Sequence, residues 1–286
     1  MTDIRFQTVA VLGAGTMGAG IAQVSAQAGS RVVLQDIKPE FVDKGLQRIR
    51  DSLAVGVQKQ KLTQEQADAT LSRITATTDR AAAARAADLV IEAVPEILDL
   101  KNSLFLELSS HAKPDCVLGT NTSSLSLQKV FAGVKHPERC IGMHYFNPPP
   151  IMKLLEVVRT DATSQSTIEA VMAYATQCGK EPILVKDSPG FASSRLGVCL
   201  GLEAIRMVAA GVASPEDIDK AMVLGYGHPM GPLKLTDLVG LDVRMAIADY
   251  LRKELDHLGF EVPDLMRRMV AEGKLGKKSG QGFYRW

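Results

Sequence analysis

The sequence predicts an α/β fold: a doubly wound parallel sheet over residues 1–187, then an all-helical domain over 188–286. Three observations carry this. The chain opens on an apolar strand, a glycine turn and an alanine-rich helix in direct succession, Thr8-Val9-Ala10-Val11-Leu12 running into Gly13-Ala14-Gly15-Thr16-Met17-Gly18. Short apolar runs then alternate with helical stretches, the signature of βαβ units. Beyond Asp187-Ser188-Pro189-Gly190 strand signals are scarce and helical periodicity takes over.

Taken in order, Thr8–Leu12 is a buried first strand and Arg31–Gln35 the second, ending at Asp36. Residues 39–60 form a long polar helix, with Pro39 suited to a first turn. A further helix starts near Thr63, where Thr63 and Gln66 have capping-box spacing. Residues 80–87 are alanine-rich helix and 89–94 a short apolar strand. Helix follows at 99–111 and strand at 116–120. Residues 139–144 and 154–158 read as two more strands, 164–178 as helix and 182–185 as a last strand. After the Pro-Gly junction, 191–210 reads as one helix ending at Gly211. Ser214-Pro215-Glu216-Asp217 combines a serine cap, a proline and first-turn acids. Residues 238–258 look like another long helix. A proline-glycine hinge inside one domain is the alternative to two domains.

Composition narrows the function classes. The chain has 286 residues, 46% apolar, enough for a sizeable core, and a formal net charge of +1. No basic tract stands out, which argues against nucleic acid as the main partner. Met1-Thr2-Asp3-Ile4-Arg5 does not read as a signal peptide, and no apolar run is long enough to span a bilayer. Cys116, Cys140, Cys178 and Cys199 form no CxxC pair, so they read as reduced, mostly buried thiols, and a cytoplasmic location is expected.

The opening unit predicts a ligand. Gly13 permits the tight turn, Gly15 lets backbone approach a pyrophosphate, and Gly18 lets helix pack on strand. Thr16 and Met17 lie in the first turn, whose free N–H groups face the phosphates. Asp36 follows Gly18 by 18 positions, near the ~20 expected of the carboxylate that binds the adenosine ribose. A carboxylate there accepts from a ribose 2′-OH and repels a 2′-phosphate, so NAD is favoured over NADP; Lys38 nearby narrows the margin. The alternative is an ordinary βαβ unit with a glycine-rich turn.

A dinucleotide site names a cofactor and leaves the reaction open. His144 follows an apolar strand and precedes Asn147-Pro148-Pro149-Pro150, where a crevice residue of an open α/β sheet lies. Glu156 stands in Lys153-Leu154-Leu155-Glu156-Val157-Val158, where a buried carboxylate needs a partner. A histidine on the neighbouring strand supplies it. Glu156 then fixes the tautomer of His144 and stabilises its protonated form, which suits oxidation of an alcohol. The bland readings are a structural histidine and a glutamate at a solvent-facing sheet edge. Thr120-Asn121-Thr122-Ser123-Ser124-Leu125 follows a strand and opens a helix. Capping explains one of its hydroxyls, and another could bond a substrate oxygen.

Gly13 to Gly18, Asn121-Thr122-Ser123-Ser124, His144-Tyr145-Phe146-Asn147-Pro148, Asp187-Ser188-Pro189-Gly190-Phe191 and His228-Pro229-Met230-Gly231-Pro232 occur in that order. Together they resemble the L-3-hydroxyacyl-CoA dehydrogenase family, in its 3-hydroxybutyryl-CoA branch, over essentially the whole chain. The resemblance implies NAD-dependent oxidation of (S)-3-hydroxyacyl-CoA, short chains included, and the reverse. It places Ser123, His144 and Glu156 at the substrate. It assigns cofactor contacts to Asp36, Glu96, Lys101, Asn121, Ser123 and Asn147, with Lys278 a looser match. CoA contacts fall on Ser52 and Lys59, and a homodimer is implied, in keeping with apolar stretches at 196–210 and 235–248. Ser194 stands where the family places an asparagine that serves substrate and histidine, and is expected to take part there. The rival readings are a dehydrogenase of a free hydroxy acid or sugar acid, and a non-catalytic crystallin-like relative.

Overall fold

The computed structural model describes residues 5–286; residues 1–4, the start of the stretch read as no secretion signal, lie outside the described residues. The chain splits into two compact units, Met1–Ser188 and Pro189–Trp286.

The first unit is an eight-stranded sheet: β1 (Thr8–Leu12), β2 (Arg31–Gln35), β3 (Ile74–Thr77), β4 (Leu89–Glu92), β5 (Val117–Thr120), β6 (Cys140–Tyr145), β7 (Leu154–Arg159) and β8 (Glu181–Lys186). Their order is β3-β2-β1-β4-β5-β6-β7-β8. All pairs are parallel except β6 with β7. The order reverses direction at β1 and β4, the switch point of a Rossmann-type sheet. Among the described residues seven α-helices accompany the strands: α1 (Thr16–Gln27), α2 (Pro39–Gln58), α3 (Gln64–Ser72), α4 (Arg80–Ala86), α5 (Leu98–His111), α6 (Leu127–Val130) and α7 (Gln165–Gln177).

Burial explains the central strands. Every residue of β1, β4, β5 and β6 is buried, so they are apolar without alternation, as in sheets covered on both faces. The core joins these strands to the Ala-rich face of α1 and to α7. No strand is expected from Ile74-Thr75-Ala76-Thr77, yet it forms β3. It is a half-exposed edge, and its pattern lacks the apolar run that marks an inner strand. β8 is the opposite edge, where Pro182 is tolerated. The capping box at Thr63 forms in full: Gln66 N donates to Thr63 Oγ1 and Thr63 N to Gln66 Oε1.

The second unit holds α8 (Ser193–Ala209), α9 (Pro215–Tyr226), α10 (Pro232–Val239), α11 (Leu241–Leu255) and α12 (Asp264–Ala271) around its own apolar core. Two expectations need correction. The helix expected over 238–258 forms as α11 but starts later and ends sooner, because Gly240, with φ of 105°, leaves the helical region just before it; α10, which ends at Gly240, is not expected from the sequence. A side chain there would also crowd Asp242 and Lys278, so glycine ends one helix and turns the chain into the next. α12 is not expected from the sequence. Leu265, Met266, Met269 and Val270 do carry helical spacing, with Met266 and Met269 buried, so its signal was present and was missed. In α9, Ser214 Oγ accepts from Asp217 N, the expected cap.

Candidate active site

The glycine turn behaves as the sequence predicts. Gly13 has φ 99°, and a Cβ there would stand 2.6 Å from Ala93 O. A Cβ at Gly18 would overlap the Gly13 carbonyl. Gly15 differs: nothing lies within 4 Å of its missing Cβ. Its absent side chain therefore leaves room for a ligand, with no protein contact to explain it. Gly15 caps α1 without a side-chain bond, so the helix N–H groups stay directed at this space.

A cavity of about 740 Å³ opens here, lined by residues 12–17, by Asp36 and Ile37, and by Ala93, Val94 and Pro95. Asp36 accepts from Ala14 N at 2.7 Å and from Ile37 N at 2.7 Å. Its carboxylate is thus fixed at the end of β2. Lys44 and Arg48 of α2 also line the cavity, two cations that the sequence reading does not place there. A cradle at Gly15 that a side chain would fill, an anchored carboxylate and an uncapped helix start fit the two ends of an ADP moiety. Among the described residues no group of His, Cys, Asp and Glu is arranged to hold a metal.

The second cluster lies at β6 and β7. His144 and Glu156 face each other directly across the antiparallel pair, and Nδ1 stands 2.7 Å from Glu156 Oε2. Glu156 is fully buried and His144 is 7% exposed, so the edge-strand reading of Glu156 is wrong: β8 covers β7. Phe146 lies against the imidazole, with ring centroids 4.5 Å apart. Nδ1 is committed to the carboxylate, which fixes the orientation of the ring.

The third cluster surrounds the turn after β5. Glu96 accepts from Thr122 Oγ1 at 2.6 Å and from Ser123 N at 2.9 Å, and lies 3.3 Å from Ser123 Oγ. Lys101 is 1% exposed; its amino group lies 2.6 Å from Glu92 and 3.3 Å from Glu96. Glu92 also accepts from Thr120 Oγ1 and Val94 N. Sequence reasoning missed Glu92, although a carboxylate inside an apolar strand was the signal that found Glu156. Asn121 Oδ1 accepts from Tyr145 N at 2.8 Å, tying this turn to the end of β6.

The turn does not open a helix at once, as expected. Thr122 Oγ1 accepts from Leu125 N, and α6 starts only at Leu127. Its first N–H groups are taken by Asp187: Leu127 N at 3.1 Å and Gln128 N at 3.0 Å. This distant cap leaves the turn's own hydroxyls for other partners.

Asn147 is exposed after β6 and joins Pro148 through a cis peptide bond. Ser52 is half-buried on α2, and Lys59 is exposed at its C-cap. In the second unit Lys278 pairs with Asp242 at 2.6 Å. Ser194 lies within the first turn of α8, half-buried. The helix begins earlier than the alternative of a cap near Arg195 expects: its cap position is Ala192. Cys116 and Cys140 are buried, and burial pushes both thiols up to about 12. Cys178 is half-buried and Cys199 is exposed, so of the thiols expected to be mostly buried only Cys116 and Cys140 are fully so.

The model of the 3-hydroxyacyl-CoA dehydrogenase NAD binding domain matches residues 8–188, and that of the 3-hydroxyacyl-CoA dehydrogenase C-terminal domain matches residues 190–286. A probable 3-hydroxybutyryl-CoA dehydrogenase of Deinococcus radiodurans is 45% identical over 276 residues, covering 96% of this chain and 99% of that protein. One of Bacillus subtilis is 42% identical over 281 residues, covering 98% of each. The solved structure of (S)-3-hydroxybutyryl-CoA dehydrogenase PaaH1 from Ralstonia eutropha superposes with a TM-score of 0.94 at 42% identity, covering 98% of this chain and 99% of that one.

Proposed function

The chain belongs to the 3-hydroxyacyl-CoA dehydrogenase family, and from that premise we propose that it oxidises (S)-3-hydroxyacyl-CoA to 3-ketoacyl-CoA with NAD, and catalyses the reverse, on short chains such as 3-hydroxybutyryl-CoA. The observation that carries this is the His144–Glu156 pair, a buried carboxylate 2.7 Å from an imidazole at a strand end.

Bound NAD would supply the hydride acceptor for the carbinol carbon. The glycine turn at residues 13–18 would hold its pyrophosphate and Asp36 its adenosine ribose, with Glu96, Lys101, Asn121, Ser123, Asn147 and Lys278 as further contacts. His144 removes the hydroxyl proton at Nε2 during oxidation and returns it during reduction. Glu156 accepts from Nδ1–H, fixes the tautomer and stabilises the cation that forms. The Ser123 hydroxyl holds the 3-oxygen, and its position is set by Glu96. Ser194 supports the same oxygen or His144, through a water where the shorter side chain does not reach. Ser52 and Lys59 serve the CoA moiety.

A cytoplasmic homodimer completes the reading. Leu196, Leu238, Val239 and Val243 leave apolar surface exposed on α8, α10 and α11, which a second copy would cover. Sedimentation at micromolar concentration tests this, and a monomer refutes it.

NADH oxidation with acetoacetyl-CoA, then with acetoacetate, tests the function. Turnover is expected only with the thioester. Turnover with the free acid alone would favour a hydroxy-acid dehydrogenase, and turnover with neither a non-catalytic role.

A further inference from the structure

Glu92 is a charge in a place that excludes water. It ends β4, is fully buried, and stands beside strands in which every residue is buried. It has no part in the proposed function, yet both its oxygens are engaged. Oε1 accepts from Lys101 Nζ at 2.6 Å and from Val94 N at 2.7 Å, and Oε2 accepts from Thr120 Oγ1 at 2.6 Å. Lys101, on α5, is buried too. Its three N–H donors have three acceptors in reach: Glu92, Glu96 at 3.3 Å and the Val94 carbonyl at 3.4 Å. A buried ion pair adds little net stability, because desolvation offsets the attraction. This one supplies a fixed point where the ends of β4 and β5 meet.

Two arms run from that point to one turn. In the first, Lys101 reaches Glu96 Oε2, while Glu96 Oε1 takes Thr122 Oγ1, Ser123 N and Ser123 Oγ. The Glu96 side chain is 38% exposed, and a glutamate that open to water loses rotamer freedom only if something holds it. The buried ammonium holds one oxygen and so fixes the other, where the turn binds. In the second arm Thr120 Oγ1, tied to Glu92, accepts from Thr122 N at 3.4 Å. Ser123 is thus reached from Glu92 by way of α5 and by way of β5.

We propose that Glu92 is a positioning residue: acting through Lys101 and Glu96 and through Thr120, it sets the Ser123 hydroxyl for the 3-oxygen of the substrate. This rests on the proposed function, which places Ser123 at that oxygen. A carboxylate suits the position because it accepts at both oxygens while it balances the ammonium. An amide of the same size turns an NH₂ toward one of the donors and leaves the ammonium half-balanced.

The test is a double-mutant cycle between Glu92→Gln and Ser123→Ala, read as kcat for acetoacetyl-CoA reduction at saturating NADH. Glu92→Gln alone should lower kcat by about tenfold or more, the scale of a misplaced group. In the Ser123→Ala background, where His144 and Glu156 still give turnover, the same change should cost less than about threefold, because the oxygen it places is gone. Equal losses in the two backgrounds overturn the proposal and make Glu92 a structural residue. Glu92→Gln strips Lys101 of its nearer carboxylate and can hinder folding, so the pair is also removed together. Glu92→Gln with Lys101→Met leaves no buried charge unpaired and should fold; a wild-type kcat in that variant overturns the proposal. Fluorescence titration of NADH gives a readout apart from turnover. Glu96 and Ser123 are also cofactor contacts in the proposed function, so Glu92→Gln should weaken NADH binding, and an unchanged affinity overturns the proposal. Failure of the wild type to turn over acetoacetyl-CoA would instead sink the functional reading, and the titration would still decide whether Glu92 sets this turn.

Discussion

Replacing Glu156 by Gln preserves the size of the side chain and removes only its charge. In the wild type the carboxylate is fully buried, with Oε2 2.7 Å from His144 Nδ1. When the imidazole holds the substrate's proton, the two charge centres stand about 4 Å apart, worth about 4 kcal/mol at an effective dielectric near 20. The amide keeps a neutral hydrogen bond of about 1 kcal/mol. The difference of about 3 kcal/mol falls on the transition state, because the imidazole's charge forms only as the proton arrives. It corresponds to a loss of roughly 10²-fold in kcat for oxidation. An amide that rotates its NH₂ toward Nδ1 would favour the wrong tautomer and deepen the loss. Stopped-flow and steady-state measurement of NADH formation from (S)-3-hydroxybutyryl-CoA reads kcat, and fluorescence titration reads NADH affinity. Affinity should stay within about twofold, since the pair lies on β6 and β7 and the glycine turn follows β1. A kcat loss below threefold, with the protein folded, would refute the pairing as a catalytic device.

Gly15→Ala should fold with an unchanged Tm, because no protein atom lies within 4 Å of the new methyl, while the KM for NAD rises at least tenfold; Gly18→Ala, whose methyl overlaps the Gly13 carbonyl, should lower Tm or prevent folding. Wild-type kcat/KM should favour NAD over NADP by at least tenfold, and Asp36→Ser should narrow that ratio because Lys44 and Arg48 already line the cavity; comparable efficiency with both cofactors in the wild type would defeat this reading of Asp36. Native protein at pH 8 should show rapid reaction of Cys199 with a thiol reagent, while Cys116 and Cys140, pushed up to about 12 by burial, react only on unfolding. Those thiols hold in the folded state protons that the unfolded chain releases near 9, so their contribution to stability is intact below that pH and is lost as pH rises toward 12.

The sequence by itself determined the elements whose signal is local. The Gly13–Gly18 turn, the capping box at Thr63 and the Ser214 cap are set by residues within a few positions of one another, and all three form. Glu156 was legible because a charge in an apolar strand demands a partner, and the neighbouring strand carried a histidine. The same logic applied to Glu92 would have found its bond to Lys101. Tertiary structure decided what depends on residues far apart in the chain. Strand register put His144 opposite Glu156; a slip of one residue would have turned them to opposite faces. β3 exists because it completes an edge of the sheet, and its own pattern is too weak to announce it. Asp187 caps α6 from about 60 positions away, so local cues placed that helix too early. Gly240, with φ of 105°, moved the start of the expected helix to Leu241 and closed an unexpected short helix before it. Arg244 reads as an ordinary surface cation in sequence, and only the fold shows it buried beside two glycines of another helix.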